Sequence, residues 1–284
     1  MIRPVDYREL TITLPDGYEA YARYWSHDRP RGAVLYHHGI QSHVGWFERS
    51  ARRLWEAGYA VLQPDRRGSG RNTAARGHAV SVDQLIADAH CLRDELTSRS
   101  GVERQHVIGV SWGGRLALAA YIAEPEGVKS ISLVTPGLFP RLAVSKEEAQ
   151  RIGFIMLYEP ERSIDIPLND PELLTSNVEH QQIIAADPLA LREATAAFFL
   201  ASRRMDRMLP KLADRPAVPM HTFLVGDERI IDNEATLAFL ERVGWATSRV
   251  TCYDGARHTI EYEPCAARYL DDLVSFLRDA DETA

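Results

Sequence analysis

His106-Val107-Ile108-Gly109-Val110-Ser111-Trp112-Gly113-Gly114 is the stretch on which the reading of the chain turns. An apolar run with strand character ends in a G-x-S-x-G motif, Gly109 to Gly113, and a helical pattern over about residues 112–123 starts at once. A serine on so sharp a strand-to-helix turn is lifted above the sheet. The flanking glycines leave room for strand and helix to pack closely beside it. A chance match in a glycine-containing turn has no reason to bring strand, turn and helix together in this order.

The flanking sequence supplies a sheet for that turn. Residues 8–14 and 18–25 alternate in character around Pro15-Asp16-Gly17, which predicts a hairpin. Ala33-Val34-Leu35-Tyr36, a helical stretch ending near Gly58, and Tyr59-Ala60-Val61-Leu62 form a βαβ alternation whose strands are apolar on both faces, as inside a parallel sheet. Ser81 followed by Gln84 makes a capping box for a helix with Val82, Leu85, Ile86, Ala89, Leu92 and Leu96 on one face. Further strands are expected at residues 106–110, 128–134, 221–225 and 248–253, with helices near 112–123, 233–243 and 264–279. The expected class is α/β, a mostly parallel sheet with helices on both faces. The rhythm breaks between about residues 137 and 214, where helical pattern dominates and no strand is expected. That segment reads as a helical cap inserted over the carboxyl ends of the strands, with residues 1–136 and 215–284 forming the core. Its apolar residues, among them Phe154, Ile155, Met156, Leu157, Phe198, Phe199 and Leu200, are expected mostly to hold the cap to the body.

Composition excludes several classes of function. With 45% hydrophobic and 26% charged residues, the 284-residue chain has the balance of a globular enzyme rather than a disordered or fibrous protein. A net charge of -7 repels a phosphate backbone, so nucleic acid is not an expected partner. Cys91, Cys252 and Cys265 lack the spacing of a zinc site or redox pair and read as buried thiols in a reducing compartment. The opening residues lack the apolar core of a signal peptide, and no stretch reaches the ~18 consecutive apolar residues of a membrane span. A cytoplasmic location is the expectation.

A serine hydroxyl needs an adjacent imidazole to take its proton. Of the ten histidines, His258 in Gly255-Ala256-Arg257-His258 follows the last expected strand, so its loop emerges at the same sheet edge as Ser111. Between them in the chain, Gly226-Asp227-Glu228 offers two adjacent carboxylates whose side chains point to opposite sides, only one of which can reach the imidazole. Donors for a developing oxyanion are expected at the Trp112 N–H and, through the turn at His38-Gly39, at the Ile40 N–H. Losing one such donor typically costs about 3 kcal/mol of transition-state stabilisation. His37, His38 and His43 could together suggest a metal, but no carboxylate or cysteine cluster accompanies them, and neither metal nor cofactor is expected. Asp65-Arg66-Arg67-Gly68-Ser69-Gly70-Arg71 is too short in glycines for a dinucleotide fingerprint and reads as a structured turn near the site.

With these residues assembled, residues 8–280 resemble the monoacylglycerol lipase and lysophospholipase-like branch of the α/β-hydrolase fold. The resemblance is carried by His38-Gly39-Ile40-Gln41-Ser42-His43, by Asp65 to Gly70, by the serine turn, by Asp187 to Arg192, and by Gly255 to Thr259 ahead of Glu263-Pro264. It implies Ser111 as nucleophile, His258 as base, and Ile40 and Trp112 as oxyanion donors, with His38 and Gly39 in support. Where the branch has an aspartate two residues after the glycine of the acid loop, this chain has Glu228, which register favours as the acid, with Asp227 second. The implied activity is hydrolysis of a small-molecule carboxylic ester with a medium or long acyl chain. Two rivals differ in what they require: an aminopeptidase or amidase would recruit carboxylates such as Glu159, Glu161 and Asp165 in the cap, and a silent binding module would keep the fold without turnover.

Overall fold

A computed structural model describes residues 6–141 and 146–283. Met1–Val5, part of the segment read for a signal peptide, and residues 142–145 lie outside the described residues, as does the side chain of Met156. Strands β1 (Arg8–Thr13) and β2 (Glu19–Trp25) form the expected antiparallel hairpin. Its turn closes with the Gly17 N–H donating to the Leu14 carbonyl at 2.9 Å. Gly17 sits at φ +84°, a conformation that costs a glycine little.

Beyond the hairpin run β3 (Gly32–His37), α1 (Glu48–Glu56), β4 (Tyr59–Pro64), α2 (Val82–Ser100), β5 (Gln105–Val110), α3 (Trp112–Ala123) and β6 (Val128–Val134). Strands β3, β4 and β5 are buried along their whole length, which is why their sequences are apolar on both faces. At the start of α2 the Ser81 hydroxyl accepts from the Gln84 N–H at 3.1 Å. The return bond of the capping box is displaced by one residue, since the Gln84 side chain accepts from the Val80 N–H rather than from Ser81.

The segment after β6 holds α4 (Lys146–Tyr158), β7 (Ser163–Asp165), α5 (Val178–Ala186), β8 (Glu193–Thr195) and α6 (Ala196–Asp206). The expectation of no strand here is corrected: β7 and β8 pair antiparallel as a separate two-stranded sheet. At three residues each, they are too short to display alternation in sequence. The packing expectation is corrected in part as well. Ile155 and Phe198 are buried, but Phe154 and Leu157 on α4 are 57% and 74% exposed.

The chain then completes the main sheet with β9 (Met220–Val225), α7 (Asn233–Val243), β10 (Ser248–Tyr253) and α8 (Ala266–Glu282). The order across the eight strands is β1-β2-β4-β3-β5-β6-β9-β10, antiparallel at β1/β2 and β2/β4 and parallel elsewhere. Helices α1 and α8 pack together on one face, and α2 packs on α3 on the other. The carboxyl ends of β3, β5, β6 and β9 therefore lie side by side, and the loops leaving them meet. Cys252 is exposed on the edge strand β10, and Cys91 on α2 and Cys265 at the start of α8 are only partly covered. The three thiols are free, and the expectation that they are buried is corrected.

Candidate active site

Ser111 stands between β5 and α3 at φ 51° and ψ −120°, a left-handed conformation rare for a residue with a side chain. The surrounding bonds over-determine it. Its N–H donates to the Val134 carbonyl at 2.9 Å, and its own carbonyl accepts from Gly114 at 2.9 Å and Gly137 at 2.8 Å. The glycines make the turn sterically possible. A Cβ at Gly109 would come within 2.5 Å of the Gly114 Cα, and one at Gly113 would run into the His37 and His38 carbonyl oxygens.

His258 and Glu228 converge on this serine. The His258 Nε2 lies 2.8 Å from the Ser111 Oγ, and its Nδ1 lies 2.9 Å from the Glu228 Oε2. An ionised carboxylate can only accept, so the Nδ1 carries the proton and the Nε2 is left to receive the serine proton. The second oxygen of Glu228, Oε1, accepts from the Ile230 N–H at 2.8 Å and the Ile231 N–H at 3.3 Å. Burial works against charge on Glu228, yet His258 and these two N–H groups outweigh it and hold the carboxyl below its ordinary range. Thr135, itself at positive φ, donates from its hydroxyl to the His258 carbonyl at 2.9 Å and so fixes the loop.

Asp227 turns the other way. It pairs with Arg229 at 3.0 Å and Arg257 at 3.0 Å on the surface, and these two bonds hold its carboxyl low. Of the two adjacent carboxylates, the structure brings Glu228 to the imidazole and leaves the Asp227 side chain 41% exposed.

Above the serine, the Gly39 backbone passes so close that a Cβ there would be 3.3 Å from the Ser111 Cβ. Among the described residues, neither the Ile40 nor the Trp112 N–H has a protein acceptor. Gly137 keeps the space beside the Trp112 N–H clear, since a Cβ there would come within 3.0 Å of that nitrogen. A narrow space opens at the serine, walled by Ile40, Trp46, Phe47, Leu168 and Leu174. The last two belong to the segment between β6 and β9. That segment is tied down around the site: the Thr259 N–H donates to the Leu174 carbonyl at 2.7 Å, and Asp187 accepts from His43 at 2.9 Å and from the Trp46 indole at 2.6 Å.

The histidines near the serine have separate duties. His38 donates from Nδ1 to the Gly39 carbonyl at 2.8 Å and accepts at Nε2 from the Arg66 N–H at 2.9 Å. Burial holds its imidazole neutral, with a pKa well below the usual range, and takes His37 down to about 4. Among the described residues, no group of three or more His, Cys, Asp or Glu side chains is placed to share a metal ion.

Sequence reasoning passed over Thr135, Gly137, Leu168 and Leu174, and gave Arg66 no part beyond a turn near the site. The run Thr135-Pro136-Gly137 directly after β6 carried a turn signal that could have flagged the first two. Leu168 and Leu174 had no signal of their own, because only tertiary folding brings them to the serine.

The profile of the family described as serine aminopeptidase, S33 matches residues 28–265. A monoacylglycerol lipase of Mycolicibacterium smegmatis is 24% identical over 89% of this chain and 90% of its own length. A phospholipase of Bacillus subtilis, YtpA, is 23% identical over 84% of this chain and 92% of its own. Among solved structures, the Paleococcus ferrophilus monoacylglycerol lipase superposes with a TM-score of 0.83 at 22% identity, covering 92% of this chain and 99% of that one. The mostly parallel sheet with its helices is thus an α/β-hydrolase fold.

Proposed function

The chain belongs to the serine aminopeptidase S33 family of hydrolases, and on that premise we propose that it is a serine carboxylic ester hydrolase working through an acyl-enzyme on medium-to-long acyl esters such as monoacylglycerols or lysophospholipids. The observation that carries this reading is the relay Glu228–His258–Ser111, with contacts of 2.9 and 2.8 Å, opening into an apolar space. In this reading Ser111 attacks the ester carbonyl as His258 takes its proton. Glu228 holds the imidazole in the Nδ1–H tautomer and stabilises the imidazolium that forms. The Ile40 and Trp112 N–H groups receive the oxyanion. His258 then passes its proton to the leaving alcohol, and a water activated by the same imidazole releases the acid. Residues 137–214 act as a cap in this scheme, lending Leu168 and Leu174 to the acyl side of the space.

The lipase and phospholipase names of two relatives agree with an acyl ester substrate. The aminopeptidase description of the family points instead to a substrate with a free amino group, which a carboxylate pair near the serine would have to receive. Glu159, Glu161 and Asp165 are all exposed, and none of them lines the space at Ser111. The ester reading is therefore preferred.

Turnover of p-nitrophenyl acetate, butyrate, octanoate and palmitate, run beside proline and alanine naphthylamides, tests it. The expected profile has kcat/KM rising from acetate to octanoate, with the naphthylamides slower by orders of magnitude. Activity on acetate alone, or preference for a naphthylamide, would defeat the proposal, and no turnover by a folded chain would favour a binding module.

A further inference from the structure

Arg66 lies in the turn after β4 and is only 8% exposed. No ion pair joins its guanidinium to a carboxylate among the described residues, and what it bonds is backbone. Its Nη1 donates to the Gly39 carbonyl at 3.0 Å and its Nη2 to the Ile40 carbonyl at 2.9 Å. Its Cζ lies 4.6 Å from the centre of the Trp112 ring and 5.0 Å from that of Phe198. The neighbouring carboxylate, Asp65, is occupied elsewhere, accepting from the Val44 N–H at 2.9 Å and the Arg71 N–H at 2.8 Å. Burying a cation against carbonyls and rings is costly, so the position calls for a reason.

The planarity of the peptide bond supplies one. The Gly39 carbonyl and the Ile40 N–H belong to a single trans peptide unit, so they point to opposite sides. Whatever holds that oxygen also aims that hydrogen. The Gly39 oxygen is gripped by Arg66 and by the His38 Nδ1, and His38 is in turn oriented by the Arg66 N–H at its Nε2. Serine lies beside the same glycine, 3.8 Å from the Cβ it lacks to the Ser111 Oγ. The second arm of the Arg66 fork fixes the next peptide at Ile40, and its cation–π contact with Trp112 ties this loop to the residue that carries the other free N–H.

Resting on the ester hydrolase reading of Ser111, we infer that Arg66 is a positioning residue for oxyanion stabilisation: its fork holds the Gly39-Ile40 peptide so that the Ile40 N–H meets the developing charge. It touches no reacting atom. A guanidinium is suited to this because its rigid planar fork reaches two adjacent carbonyls at once, which a lysine ammonium cannot do with the same geometry.

The test compares wild type, Arg66→Met and Arg66→Lys, each checked by circular dichroism and thermal melting, in octanoate ester turnover and in binding of an octyl trifluoromethyl ketone. The ketone forms a tetrahedral oxyanion on the serine. Arg66→Met should lower kcat about 10- to 100-fold with KM within about threefold, and should weaken the ketone by the same factor as kcat/KM. Arg66→Lys, which keeps the charge and loses the fork, should fall between the two. A folded Arg66→Met with wild-type kcat, or a loss carried by KM alone, would overturn the inference. If the methionine variant does not fold, an Arg66→Lys enzyme with unaltered kcat and ketone affinity overturns it instead. Fluorophosphonate labelling of wild type and Ser111→Ala separates this from the reading beneath it. Labelling lost in Ser111→Ala with an unaffected Arg66→Met removes only the role of Arg66, whereas labelling that persists in Ser111→Ala removes the site itself.

Discussion

Glu228 and Asp227 are neighbours in sequence with opposite fates, and the difference is a matter of which side of an extended segment each occupies. Glu228 is 4% exposed and bonded to His258, whereas Asp227 pairs with Arg229 and the half-buried Arg257. In the proposed mechanism Glu228→Ala lowers kcat by about 10³- to 10⁴-fold, because the imidazole loses its fixed tautomer and its counter-charge. Asp227→Ala stays within about threefold, since exposed ion pairs contribute little. Steady-state rates on the octanoate ester check both, and a larger loss at Asp227 would reverse the assignment. The sequence offered the two as adjacent candidates and could separate them only by register against a resemblance. Arg66 was hidden more deeply. Read along the chain it is one of three arginines in the polar turn from Asp65 to Arg71, and only folding shows its fork on the backbone of a loop 26 residues away.

At the level of elements, the serine turn depends on two glycines that leave no room for a methyl group. Gly113→Ala would drive a Cβ into the carbonyls at the end of β3, the strand that feeds the Gly39 loop, so it should cost about 1–3 kcal/mol and depress turnover as well. Gly101→Ala serves as a control. That residue has φ +71° with nothing within 4 Å, so it should cost only the left-handed penalty of about 1 kcal/mol and leave kcat unchanged. Denaturant midpoints and kcat for the two variants distinguish steric clash at the turn from a general loss of stability. The main-sheet strands and the helices beside them were legible because burial on both faces and helical periodicity leave strong patterns. The short pair β7/β8 and the exposed apolar face of α4 were not, since a three-residue strand shows no alternation and an apolar residue in a helix reads as core whether or not anything covers it.

For the molecule as a whole, the layers are joined by a buried carboxyl outside the proposed triad. Glu261, three residues after His258, accepts from the Ser50 N–H at 2.8 Å and is bonded to the Ser50 hydroxyl on α1. Burial, only partly offset by these bonds, pushes its carboxyl up from 4.5 to about 7. Between these values the unfolded chain has released the proton that the folded chain still holds. Stability from this group is therefore full below about 4.5 and declines as pH rises towards about 7, by about 3 kcal/mol in all. Glu228 acts in the opposite direction, its contribution present above the ordinary glutamate value and lost as pH falls through its lowered one. Buried neutral histidines such as His37 and His38 act against Glu261, since the unfolded chain binds protons there that the folded chain does not. Urea midpoints from pH 4.5 to 7.5 should therefore rise more steeply with pH in Glu261→Gln than in wild type, while an unchanged pH dependence would place the titration elsewhere. The helical layers, the sheet edge and the segment over it all serve one arrangement in this account, an activated serine at Ser111. Labelling with a fluorescent fluorophosphonate, with the modified residue mapped by mass spectrometry, tests that most directly. A single adduct on Ser111 is expected, absent in Ser111→Ala and greatly slowed in Glu228→Ala. A folded wild-type chain that takes no label, or takes it at another residue, would contradict it.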